Sequence, residues 1–155
     1  MQDTIGEIMS AKLETIDRTE NAQKAAKKMN DKRISSLLVI DKKSDIEEKP
    51  VGIVTERDLV NRVCAEGISS KEITVQEIMS SPIATIEKQA TVETAADLML
   101  SNKLRHLVVI DDQTKKPIGI VAPSDFDKYL RANIDWDEIS ARILEAVQAE
   151  ERSEL

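Results

Sequence analysis

The stretch GIVTERD, residues 52–58, decides the fold. A glycine opens a short apolar run with two β-branched residues, Ile53 and Val54, and the run stops at Thr55, with Asp58 three residues further on. A run of that kind suits a buried strand. Thr-x-x-Asp is the capping pattern that starts a helix. A strand turning directly into a helix is therefore predicted at Thr55. The same turn comes a second time: PVGIVTERDL at 50–59 returns as PIGIVAPSDF at 117–126, an offset of 67.

Outward from this stretch most of the chain, up to about residue 131, proves to be doubled. EIMSAKLETI (7–16) returns as EIMSSPIATI (77–86), and AAKKMNDKRISSLLVID (25–41) as AADLMLSNKLRHLVVID (95–111), both at an offset of 70. The three-residue change of offset falls in a polar stretch, KKSDIEEK against DQTKK, which marks a surface turn. Each copy predicts the order β-α-β-β-α. LETI and IATI are extended. A helix follows with apolar positions Ala22, Ala25, Ala26 and Met29, or Val92, Ala95, Ala96 and Met99, spaced i, i+3, i+4, i+7 along one face. LLVI and LVVI are continuous apolar runs that suit strands buried on both sides. VGIV and IGIV form a third strand. The second helix carries Leu59, Val60 and Val63 in one copy and Phe126, Tyr129 and Leu130 in the other. One copy alone is too small to bury its sheet, so the two are expected to pack together. The expected class is α/β (α+β), with modules at 5–64 and 75–131 and a helical extension at 132–155. In that extension Ile139, Ile143 and Val147 form a stripe, expected to dock on the core or on a second subunit, with a fraying acidic end.

Composition removes several function classes. Of 155 residues 41% are hydrophobic and only 2% aromatic, so an aliphatic core is expected, and the few aromatics argue against base-stacking platforms. The net charge of -7 argues against duplex nucleic acid as the main partner, although a local basic pocket can still hold a small anion. Cys64 stands alone, so no internal disulfide can form, which fits a reducing cytoplasm. The beginning, MQDTIGEIMS, does not read as a signal peptide, and no apolar run approaches the ~18 residues of a membrane span. The expectation is a soluble, intracellular chain. Met9, Met29, Met79 and Met99 recur as repeat-paired core positions rather than metal ligands, Cys64 reads as a half-buried hydrophobe, and EEK near residue 48 reads as a solvated loop. No Cys/His cluster for zinc, Walker loop or catalytic triad is present.

Taken together and in order, the paired motifs EIMS…TI, RISSLLVID/LRHLVVID and GIVTERD/GIVAPSD resemble the tandem cystathionine-β-synthase (CBS) domain pair, over roughly residues 5–131. The resemblance implies two β-α-β-β-α modules packed about a pseudo-twofold axis. It also implies a regulatory unit that binds AMP, ADP, ATP or S-adenosylmethionine and dimerises into a flat disc. No enzyme or transporter domain is seen beside the pair, and no metal or cofactor is implied.

Thr55-x-x-Asp58 then has two compatible readings. As a cap, the threonine oxygen takes orphan amide protons and the acid favours the helix dipole. As a ligand site, amides at the strand-to-helix turn face an anion, a hydroxyl donates to phosphate, and a carboxylate accepts from both hydroxyls of a ribose. By the resemblance, the main site holds Ile53, Thr55, Arg57 and Asp58 with Thr85, Ala90, Leu104 and Arg105 from the other copy. A weaker second site holds Ile120, Ser124 and Asp125 with Thr15, Glu20, Ile34 and Ser35, and His106 is its further candidate contact. Ala122 in place of Thr55, Glu20 in place of Ala90, and Ser35 in place of Arg105 all favour the Asp58 site. Three functions follow as alternatives: a non-catalytic sensor that binds an adenine nucleotide and signals to a regulated partner, a dimeric adaptor with empty sites, and an enzyme, for which the residues supply no constellation.

Overall fold

The strand-to-helix turn at Thr55 forms as expected. In the computed structural model, which describes residues 3–43 and 49–153, β3 (Lys49–Thr55) runs straight into α3 (Glu56–Leu59), which continues as a π-helical turn over Val60–Cys64. Before it come α1 (Ile5–Ile8), β1 (Thr15–Asp17), α2 (Ala22–Lys32) and β2 (Ser36–Asp41). The second repeat gives α4 (Val75–Ile78), β4 (Thr85–Glu87), α5 (Val92–Ser101), β5 (Leu107–Ile110), β6 (Pro117–Val121) and α6 (Pro123–Asn133), and α7 (Trp136–Ser153) follows. The loop stretch EEK lies mostly outside the described residues, as does the very end of the chain.

Each repeat contributes one three-stranded sheet, in the order β1-β2-β3 and β4-β5-β6, with the first pair parallel and the second antiparallel. Matching registers set Ser36 opposite Thr55 and Leu107 opposite Val121. The apolar runs are buried on both faces, as their unbroken pattern requires. Leu37 and Val39 of β2 point into the core beneath α2, while Leu38 and Ile40 meet Val108 of β5, Leu13 and Ile83 between the two sheets. The alanine face of α2 lies close on its sheet through Ala22, Ala25 and Met29, and Asn21 caps the helix by accepting from the Lys24 amide.

The two repeats are not independent lobes. Val75 and Ile78 of α4 are buried in the core of the first sheet, and Ile5 of α1 in the core of the second. Main-chain bonds follow the same exchange: Val75 N–H donates to Glu20 O at 2.8 Å and Ile5 N–H to Ala90 O at 2.8 Å. Beyond each short helix the chain adds a bridge to the other repeat's third strand, Ser80 to Ile53 and Ser10 to Ile120. Gly52 and Gly119 permit this approach. A Cβ on Gly52 would sit 2.8 Å from Ser80 O and 2.5 Å from Met79 Sδ; on Gly119 it would sit 2.8 Å from Ser10 O and 2.6 Å from Met9 Sδ.

Several expected core positions face solvent instead. Ala26 is exposed, because the core face of α2 is narrowed to Ala22, Ala25 and Met29. Val60 is 57% and Leu130 50% exposed, since Val63 and Phe126 take the inward places on their helices. Cys64 is exposed rather than half-buried, on the outer side of the π-helical turn. The α7 stripe does not dock on the core of its own chain: Ile143 is 59% and Val147 50% exposed. Among the described residues no helix is long and apolar enough to cross a membrane.

Alanine at Gly52 or at Gly119 forces the bridging backbone to move, and overpacking of this kind costs about 1–3 kcal/mol. Each variant is expected to melt several degrees below the wild type. An unchanged melting temperature in both would show that the approach of the bridging segments is not tight.

Candidate functional site

The Thr55 turn is first of all a cap. Asp58 Oδ2 accepts the Thr55 N–H at 2.9 Å and the Thr55 hydroxyl at 3.1 Å, and the Asp58 N–H donates to the same hydroxyl oxygen at 3.3 Å. The hydroxyl proton is thus already committed to Asp58. The other carboxylate oxygen, Oδ1, takes no part in the cap and lies 3.8 Å from Arg62 Nε. Arg62 is held in turn by the Ile78 and Met79 carbonyls, to which Nη1 donates at 2.9 and 3.1 Å. In the second repeat Ala122 offers no hydroxyl, and only its N–H reaches Asp125 Oδ2, at 2.8 Å. Both aspartates are buried, each 8% exposed.

Each aspartate opens onto a cleft between the repeats. The Asp58 cleft, of about 960 Å³, gathers Ile53, Thr55, Arg57 and Asp58 with Leu104, Arg105 and His106 from the other repeat. The Asp125 cleft, of about 510 Å³, gathers Ile120, Ser124 and Asp125 with Ile34 and Ser35. Ser35, Glu56, Ala122 and Ser124 line both, so the clefts meet at a common wall. His106, expected at the second site, lines the Asp58 cleft. Burial holds its imidazole below the ordinary histidine range, against the opposing pull of Asp58, Asp125 and Glu56 and with the help of Arg105.

Four expected contacts lie elsewhere. Thr85 is exposed on edge strand β4, paired with Val108. Ala90 packs on the second core beneath α5. Thr15 is paired with Leu38 in β1 and lines neither cleft. Nor does Glu20 reach the Asp125 cleft: it is ion-paired with Lys24 at 2.6 Å, so the handicap expected from its charge falls away. In place of these residues the bridging serines enter, Ser80 in one cleft and Ser10 in the other, together with Met99 and Met29 from the helices above.

Cations not counted from the repeat alone also line the clefts. Arg62 and Lys103 join Arg57 and Arg105 around Asp58, while Lys12, Arg33 and Lys128 surround Asp125. Both clefts suit an anionic ligand, and the contrast between them is smaller than Arg57 and Arg105 against Ser124 and Ser35 alone implies. Lys12, Ser10 and Ser80 belong to the segments that cross between repeats, and the repeat shows their equivalence but not the crossing.

The comparisons with known proteins agree with this architecture. A family model for the CBS domain matches residues 5–65 and 75–132. An uncharacterised protein of Methanopyrus kandleri is 36% identical over 135 residues; the match takes in 85% of this chain and 66% of the relative, so the chain spans less than two thirds of that relative's length. A hexameric CBS-CP12 protein from bloom-forming cyanobacteria superimposes with a TM-score of 0.75 at 30% identity, covering 96% of this chain and 82% of its own. A CBS domain protein from Pyrobaculum aerophilum, complexed with AMP, superimposes with a TM-score of 0.69 at 22% identity, over 79% of this chain and 89% of its own.

Asp125 yields a prediction about stability. Burial holds its carboxyl above the ordinary carboxylate range, partly offset by the Ala122 N–H and by the charges of Lys128 and His106. A raised value in the folded state favours the protonated form, so its contribution is complete below the unfolded value of ~3.9 and is lost as pH rises through the folded value. Burial of this carboxyl therefore makes the fold less stable at pH 7 than at low pH. Asp125→Asn keeps an acceptor for the Ala122 N–H and removes the charge. It is expected to melt above the wild type at pH 7, with the difference vanishing in scans below about pH 4. A lower melting temperature at pH 7 would show that the charge is better satisfied than its surroundings indicate.

Proposed function

The chain belongs to the CBS domain family, and from that premise we propose that it is a regulatory module that binds an adenine nucleotide in the Asp58 cleft and reports the occupancy to a partner protein. The observation that carries this reading is the composition of the cleft. One carboxylate oxygen of Asp58 is left over by the cap, four cations surround it, and Ile53, Met99 and Leu104 supply an apolar wall. A ribose diol, a phosphate and a purine need these three surfaces respectively. The AMP held by the Pyrobaculum aerophilum protein is consistent with it, but at 22% identity that likeness carries the fold alone. S-adenosylmethionine, the other ligand that the resemblance implies, brings a sulfonium cation toward Arg57, Arg62, Lys103 and Arg105, and is disfavoured on charge.

The reading is of a binding module rather than an enzyme. His106 shares its cleft with Ser35, Ser80 and Ser124, but among the described residues no hydrogen bond joins it to any of these hydroxyls, and Cys64 is exposed outside both linings. An exposed lone thiol also fits the reducing cytoplasm in which we place the chain.

A thermal-shift series with AMP, ADP, ATP and S-adenosylmethionine tests the proposal, because a ligand that binds only the folded state raises its melting point. The nucleotides are expected to stabilise and S-adenosylmethionine to do so less or not at all. In titration calorimetry Asp58→Ala is expected to weaken the nucleotide roughly ten- to a hundredfold, the value of one charged hydrogen-bonding partner. Asp125→Ala should cost that cleft little. The reverse order would move the main site to Asp125, and no shift with any of the four ligands would leave the adaptor reading.

We also propose self-association as a homodimer. Val60, Leu130, Trp136, Ile143 and Val147 leave large apolar side chains at least half exposed on the outer helices. The hexameric state of the cyanobacterial CBS-CP12 protein supports self-association, though not a particular number of copies. Sedimentation at micromolar concentration is expected to give twice the chain mass, and a monomer would refute it.

A further inference from the structure

His106 stands one residue before β5, the place that Ser36 holds at the start of β2. Ser36 is paired with Thr55, the cap of its own repeat, whereas in the second repeat the pairing begins one residue later, at Leu107 with Val121. Yet His106 lines the Asp58 cleft, beside the wall of Ser35, Glu56, Ala122 and Ser124 that both clefts share. The only histidine of the chain therefore lines the cleft of one buried aspartate, beside the wall that this cleft shares with the cleft of the other.

The charged groups facing it come from every side of this wall. Asp58 and Glu56 belong to α3, Asp125 to α6, and Arg105 precedes it in the chain. Three acids and one cation act on a ring that is mostly withdrawn from water. Burial favours the neutral imidazole and the acids favour the charged one, so a further anion nearby shifts the balance toward the charged form.

We propose that an anionic ligand entering the Asp58 cleft draws a proton from solvent onto His106, and that the imidazolium so formed strengthens anion binding in the Asp125 cleft. This rests on the reading of the Asp58 cleft as a phosphate-bearing ligand site. The sign follows from linkage. A histidine that holds its proton more tightly in the complex than in the free protein adds affinity below its free value, and the gain is lost as pH rises through the bound value. Binding becomes tighter toward acid pH, and the two clefts become positively coupled.

A single histidine gives a single imidazole resonance, which makes the test direct. In the ligand-free protein, the NMR titration midpoint of His106 is expected to fall in Asp58→Asn and also in Asp125→Asn, each removing one facing charge. A midpoint indifferent to either substitution overturns its shared position. With AMP the midpoint is expected to rise, and inorganic phosphate serves as a probe without base or ribose. Calorimetry in buffers of different ionisation enthalpy should show the wild type taking up more protons per AMP than His106→Gln, which removes the titration of the ligand phosphate from the comparison. The wild-type advantage in affinity should grow by up to about tenfold per pH unit on acidification, the limit for one linked proton. His106→Asn replaces the Gln variant if that one fails to fold. AMP binding with an unmoved histidine, or with equal proton uptake in the variant, refutes this proposal alone. Failure of both AMP and phosphate to bind refutes the cleft reading and the proposal with it.

Discussion

Two short main-chain bridges, Ser80 with Ile53 and Ser10 with Ile120, hold the architecture together. Each joins the leading segment of one repeat to the third strand of the other, and each needs a glycine, Gly52 or Gly119, on the strand that receives it. Through them α4 is placed in the core of the first sheet and α1 in the core of the second. A six-strand α/β molecule of this size split into two independent halves would bury too little apolar surface in either. The exchange makes each core depend on the other repeat, and the contact of Leu38 and Ile40 with Val108 closes the seam between them. The clefts are by-products of the same bridges: the serine at the end of each leading segment forms part of the wall above an aspartate.

Much of this is legible in the sequence and some of it is not, for physical reasons. The doubled motifs, the buried strands and the strand-to-helix turns at Thr55 and Ala122 are local patterns, and side chain spacing reports them. Ile53, Thr55, Arg57, Asp58, Leu104 and Arg105 are brought together as expected because they lie at the end of β3, in the first turn of α3 that follows it, or on the loop before β5, where the register leaves little choice. Thr85, Ala90, Thr15 and Glu20 were not, since their elements follow the crossing segments, and repeat equivalence shows which residues correspond but not which partner a segment meets. The four-residue helices α1 and α4 are too short to show a helical period at all. Ala26, Val60 and Leu130 met the apolar spacing yet face water, because an apolar residue outside is ordinary and periodicity fixes a face only to within its width.

The choice between cap and ligand site dissolves at the level of single oxygen atoms. A capping acid needs one carboxylate oxygen, and in both repeats that is Oδ2. A surface cap has no reason to bury the rest of the group, since water solvates the second oxygen at no cost. Here both aspartates are almost fully buried among cations. Burying a carboxylate is unfavourable unless it is compensated, and for Asp125 the compensation is incomplete, as its raised affinity for a proton shows. A fold that keeps a partly satisfied acid in a cleft gives up stability there, the usual condition of a binding group.

The departures from twofold symmetry are not scattered at random over the two repeats. Positions that build the scaffold agree in kind: Gly52 with Gly119, Met9 with Met79, Met29 with Met99, Ile5 with Val75, Asp58 with Asp125. The disagreements gather among the cleft-lining positions, Thr55 with Ala122, Arg57 with Ser124, Arg105 with Ser35, His106 with Ser36 and Leu100 with Asn30, although others there agree, as Ile53 with Ile120 and Ser80 with Ser10. None of the disagreeing positions is needed to close a core or carry a bridge, so packing places no demand on their identity. Two clefts built on one frame can therefore differ in charge and polarity without any change in the frame. The common wall makes the difference matter, because Glu56 and Ser35 face both clefts and a charge placed in one is within reach of the other. A twofold pair with identical linings would offer two equal clefts; this one, with a titratable ring on one side of the wall and a hydroxyl on the other, offers two unequal ones.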